Sequence, residues 1–168
     1  MNTVFGIPTH PFLGHLVAAV VPLAALLVVL VAVIPRLPPL VRWITLALSA
    51  LSVVLVSVTE SSGRALMRQV RITTLDRQHA RMGDDLMLWV IGLLVVCVAL
   101  LVAGHWSWRH IGDRSGRPRL SSTMSGRLSL IVRITLVLVA LALATGSIIQ
   151  TVRIGHSGAE ATWSGIPH

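Results

Sequence analysis

Apolar and polar positions fall into long blocks along this chain. Four stretches carry no charged residue: 12–34 over 23 residues, 43–59 over 17, 86–103 over 18 and 134–152 over 19. Each is close to the roughly 17–25 residues that cross a bilayer as an α-helix. A helix satisfies every backbone polar group within its own segment, which is what the hydrocarbon interior demands. The pattern predicts an all-α fold, an integral membrane four-helix bundle with spans at about 12–34, 41–59, 86–104 and 130–152. It forms a single domain over 1–168.

The blocks between the runs have their own texture. Pro11 suits a first helical position with Thr9 or His10 as the cap, and Pro22 is a kink residue that a bundle tolerates. "PRLPPL" (35–40) is a tight link between spans 1 and 2. In "RALMRQVR" Arg64, Arg68 and Arg71 share one face, which predicts a short amphipathic interfacial helix between spans 2 and 3. Leu75, His79, Met82, Leu86 and Trp89 or Val90 then follow helical spacing, so helix 3 should begin about three turns before its apolar part, with His79 turned inward.

On span 2, Thr45, Ser49, Ser52 and Thr59 form a polar stripe suited to packing against another helix. Ala142 and Gly146 make a small-residue contact site on span 4. The Gly, Ser, Pro and Arg of 105–127 read as a flexible cytoplasmic loop, with "SSTMS" able to start helix 4 early and Arg133 snorkelling to the interface. Residues 154–168 read as an outer C-terminal tail.

Composition agrees with the blocks. The 168 residues are 54% hydrophobic and 12% charged, about half the charge of a soluble domain. The first run is no secretory signal by its pattern, because no basic residue precedes Arg36. Net charge is +8, yet all 14 basic residues are Arg, strung through the connections without an aromatic-interleaved patch, which argues against nucleic acid. The single Cys97 lies inside span 3 and reads as a small buried residue.

With four spans, both termini share one side. Side A comprises 1–11, 60–85 and 153–168; side B comprises 35–42 and 104–127. The overall Arg count is even-handed, seven on side B against six on side A. Around the first span it is none before and two after, Arg36 and Arg42. That bias places side B in the cytoplasm and both termini outside a multi-pass plasma-membrane protein. Trp43, Trp106 and Trp108 would form one interfacial belt, with Trp89 and Trp163 near the other.

Polar chemistry gathers on side A. His10, His15, His79 and His156 map there, with Glu60 after span 2, Asp84 and Asp85 opening the apolar part of helix 3, and Gln150 and Arg153 ending span 4. "GIPTHPFLGH" (6–15), "TESSG" (59–63), "HARMG" (79–83) and "GHSGA" (155–159) resemble, in order, the landmarks of the bacterial predicted membrane proteins called domain of unknown function 2231. The resemblance spans nearly the whole chain and implies a four-helix membrane domain of unassigned activity.

Three functions compete for the cluster. In the preferred one, histidines and acids form a hydrogen-bonded polar lid on a non-enzymatic accessory or interaction module. Its partners would be the lipid bilayer, other membrane proteins or a second copy of the chain. In the alternative, His15, His79, His10 and His156 bind b-type haem or a transition metal, with Glu60, Asp84, Asp85 and Arg153 as supporting partners. Transport of protons or a small solute fits least, since no acid or base lies mid-bilayer. No nucleophile–base motif points to an enzyme. The side chains lead to three expectations: His15 enters the bundle and meets His79, His10 is a solvated cap, and Glu60 pairs with Arg153 between adjacent helices 2 and 4.

Overall fold

A computed structural model of the chain describes residues 3–4, 7–34, 36–68, 74–112 and 122–163. A two-residue antiparallel pair, β1 (Thr3–Val4) with β2 (Ile7–Pro8), precedes four helices. These are α1 (Thr9–Val33), α2 (Pro39–Met67), α3 (Thr74–Gly112) and α4 (Ser122–Trp163). All four are long and apolar enough to cross a membrane. This is the architecture of a multi-pass membrane protein.

The helices form a square. Both α1 and α3 pack beside α2 and α4, α1 and α3 also touch across one diagonal, and α2 and α4 have no contact among the described residues. One rule of spacing explains the interior. Buried positions recur at alternating intervals of four and three residues on every helix: Val17, Val21, Ala24, Val28 and Val31 on α1; Thr45, Ser49, Ser52 and Val56 on α2; Leu86, Val90, Leu93 and Cys97 on α3; Ala140, Ala144, Ser147 and Thr151 on α4. That is the seam of a left-handed bundle, in which a residue seats between four of its neighbour. Nearly all the seam residues are small or β-branched, which lets backbones approach closely where lipid offers no hydrophobic drive between helices.

The polar stripe on α2 satisfies itself. Thr45 Oγ1 donates to the Val41 carbonyl at 2.8 Å, Ser49 Oγ to Thr45 at 2.8 Å and Ser52 Oγ to Leu48 at 2.8 Å. Each hydroxyl therefore enters the bundle without needing a cross-helix partner. At side B, the Arg133 guanidinium reaches the Val33 carbonyl at the end of α1, 3.4 Å away. A cation there meets both the unpaired last carbonyls and the negative end of the helix dipole.

Several boundaries differ from the block pattern, for one reason. At about 1.5 Å per residue, a helix outruns a hydrocarbon core of about 30 Å after some 20 residues, and nothing then obliges it to stop. The 29-residue α2 runs through Gly63 to Met67, so Arg64 belongs to its last turns and the separate interfacial helix is not formed; Arg71 lies outside the described residues. The 39-residue α3 starts at Thr74, ahead of its apolar part, and continues to Gly112. Helix also occupies 122–127 of the stretch expected as loop and 154–163 of the expected tail. On α4 the seam runs through Ala140 and Ala144, leaving Ala142 exposed, while Gly146 receives the Trp89 ring.

Candidate functional site

Continuing the four–three seam toward side A generates the site. On α1, three and then four residues before Val17 come Gly14 and His10. Past Val56 on α2 come Thr59 and Gly63; before Leu86 on α3 come Gly83 and His79; past Thr151 on α4 come Ile154 and Gly158. The last layer of the bundle is thus His10, Gly63, His79 and Gly158, with imidazoles on the diagonal pair α1 and α3 and glycines at the other two corners.

The glycines make this layer possible. A Cβ on Gly63 would come within 2.9 Å of His10 Cε1, and one on Gly158 within 3.2 Å of His79 Cε1. Each ring lies against bare backbone of the neighbouring helix. The rings face each other across the diagonal with centroids 6.2 Å apart and planes at 87°.

Both rings are anchored through Nδ1. His10 Nδ1 donates to the Thr59 carbonyl at 3.1 Å and lies 3.2 Å from Ser62 Oγ. The Ser62 hydroxyl proton is committed to that same carbonyl, at 2.8 Å, so its oxygen acts as an acceptor toward the ring. His79 Nδ1 sits 2.9 Å from Ser157 Oγ, which also lies 3.0 Å from the Ile154 carbonyl. The Thr59 carbonyl can only accept, so His10 carries its proton on Nδ1, whereas the Ser157 hydroxyl can donate to or accept from His79 Nδ1.

One turn deeper, Glu60 enters between α2 and α3, its Cγ 3.9 Å from the Cβ position of Gly83. Its Oε2 is 3.7 Å from Arg64 Nη1, which is also 3.7 Å from Asp84 Oδ1. Its Oε1 is buried and has no hydrogen-bond partner among the described residues. Beside it, Gln150 Nε2 crosses from α4 to donate to the Met82 carbonyl of α3 at 2.9 Å.

The site therefore contains His10, His79 and Glu60 with Asp84 at its rim, and it excludes the other candidates. His15 is exposed on the outer face of α1, which overturns its expected burial against His79. Five residues turn a helix through about 500°, so His10 on the seam leaves His15 about 140° away from it. His10 is the half-buried member and the one that meets His79. His156, Asp85 and Arg153 are exposed. Glu60 pairs with Arg64 on its own helix, not Arg153, because α2 and α4 occupy opposite corners. Among the described residues no group of three or more His, Cys, Asp or Glu side chains is placed to hold a metal ion.

Sequence reasoning passed over Ser62, Ser157, Gly63, Gly83 and Gly158 as parts of the site. The signal was present in the four–three spacing, which lands on all three glycines and both histidines. No family model matches the chain, and no match to it is found among curated proteins or solved structures.

Proposed function

We propose that this chain is a non-enzymatic accessory or interaction module of the plasma membrane, closed at side A by a preorganised polar cap centred on His10 and His79. One observation carries the reading: at side A polar contacts tie three pairs of helices to one another, whereas Arg133 to Val33 links one pair at side B. His10 joins α1 to α2, His79 joins α3 to α4, and the ring pair joins α1 to α3. The motifs that resemble the domain of unknown function 2231 proteins are the same four segments that supply this layer, and we take the likeness to extend to the cap. Arg36 and Arg42 after the first span favour side A as the extracytoplasmic side. The surrounding bilayer, other membrane proteins or a second copy of the chain are the partners this architecture suits.

The test is a double-mutant cycle on the metal-free protein in detergent, with His10→Asn and His79→Asn made singly and together. A working cap gives two destabilising single variants and a coupling of about 0.5–1.5 kcal/mol between them. Strictly additive effects near zero would remove the cap as the organising feature.

A further inference from the structure

We propose that Arg68, Arg77 and Arg81 form a binding surface for the phosphate group of anionic glycerophospholipids, at the side A end of the adjacent helices α2 and α3. The inference rests on the membrane reading of the chain, which it deepens by naming the lipid class, and it is independent of the histidine cap.

Arg64 and Arg68 close α2, and Arg77 and Arg81 lie near the start of α3, each pair four residues apart and all four exposed. Residues four apart share a helix face, so each pair sets two like charges side by side, which is unfavourable without an anion near them. The protein supplies that anion only in part. Arg64 has Glu60 and Asp84, each at 3.7 Å. Among the described residues no acid comes within ion-pair reach of Arg68, Arg77 or Arg81, and Asp85, the next acid along α3, is exposed and pairs with none of them.

The two helices run in opposite directions here. Every Cα–Cβ bond tilts toward the N-terminus of its helix, so side chains ending α2 lean back toward the membrane and those starting α3 lean away from it. Arg68 begins five residues outside the layer of Gly63 and His79, and Arg81 begins two residues inside it. The opposite tilts bring the cations toward one level.

What lies below that level selects the anion. Seven-residue steps, about two turns, along the outer face of α3 lead from Arg81 to Leu88, Val95 and Val102, all exposed. The same steps on α2 lead from Arg68 through Ser61 to Val54, again all exposed. Each stripe is cationic at the end of the bundle and apolar over the span, which matches a phospholipid with its phosphate above and its acyl chains below. Arginine suits both parts, because its fork of donors fits phosphate oxygens while its stem lies along apolar surface. A soluble anion would use the cations but not the stripes.

The test places the full-length protein in phosphatidylcholine vesicles with a trace of spin-labelled phosphatidylglycerol or spin-labelled phosphatidylcholine. The motionally restricted fraction of each label gives its relative affinity for the protein surface. The parent should favour the anionic label about threefold or more, and the preference should fall in about 1 M salt. Combining Arg68→Gln, Arg77→Gln and Arg81→Gln should bring the ratio close to one, while Arg153→Gln, an exposed cation on α4, should keep most of it. In neutral detergent the triple variant should be no less stable than the parent, since it loses like-charge pairs. Phosphatidylglycerol added to those micelles should raise the unfolding midpoint of the parent alone, and inorganic phosphate should raise neither. A parent without anionic preference, a triple variant that retains it, an equal loss in Arg153→Gln, or inorganic phosphate acting as strongly as the lipid overturns the surface. The histidine coupling cycle is read without anionic lipid, so either reading can fail alone.

Discussion

The His10 imidazole turns its Cε1 edge to the backbone of Gly63, so close that a methyl group there would stand 2.9 Å from the ring. Because the Thr59 carbonyl and Ser62 hydroxyl hold Nδ1 on the same helix, the ring cannot swing aside without breaking its anchor. Gly63→Ala should therefore lower stability by about 1–3 kcal/mol, the usual cost of overpacking. Gly14→Ala is the matched control, since its Cβ would meet nothing within 4 Å. There the better helix propensity of Ala should leave stability unchanged or raise it by up to about 1 kcal/mol. Thermal unfolding in detergent separates the two, and equal effects would show that the ring does not depend on this glycine.

How much of this was legible in the sequence depends on which signal is followed. The four charge-free runs announce four membrane-length helices because burial in lipid forbids charge over a fixed length. The inward face of helix 3 was also legible, since His79, Met82, Leu86 and Val90 follow helical spacing into the core. Helix 1 misleads because His15 is followed by Ala18 and Ala19, whose small size suggests a packed face. Both are exposed, while the bulkier Val17, Val21 and Val28 are buried. In a span whose every residue is apolar, size and hydropathy do not distinguish lipid from neighbour. The four–three interval does, and it carries His10 inward and His15 outward. The square order of the helices, which separates Glu60 from Arg153, has no local signal at all.

Gln150 is buried within α4, and its amide crosses to the Met82 carbonyl at 2.9 Å. Replacing it with Leu keeps much of the volume but removes the only donor this side chain offers to α3. Cross-helix bonds of this kind average about 0.6 kcal/mol in membrane proteins. Gln150→Leu should accordingly lose about 0.5–1.5 kcal/mol, read as a lower unfolding midpoint. A variant more stable than the parent would mean that burial of the amide costs more than its bond returns.

Glu60 makes the opposite prediction. Among the described residues its Oε2 pairs with Arg64 at 3.7 Å, an arginine whose side chain is 55% exposed, and its Oε1 is buried with no hydrogen-bond partner. An ion pair with so exposed a cation contributes about 0–1 kcal/mol, while a buried oxygen left unpaired costs about 1–3 kcal/mol and more when charged. Glu60→Gln removes the charge at nearly constant shape, so stability should hold or rise. A loss beyond about 1 kcal/mol would show that the carboxylate is bonded more strongly than this geometry allows.

Orientation is the last prediction. Before α1 the chain has no basic residue, whereas Arg36 and Arg42 follow it directly. Positive charge is retained in the cytoplasm when it lies close to a span end, and the first span usually dominates. The five arginines between 60 and 85 oppose this count, but they come after that first decision and stand among Glu60, Asp76, Asp84 and Asp85. In a Cys97→Ala background, Ser61→Cys reports side A and Pro38→Cys reports side B, both at exposed positions. A membrane-impermeant maleimide added to intact cells should label Ser61→Cys and spare Pro38→Cys until the membrane is opened. The reverse pattern would turn the histidine pair toward the cytoplasm.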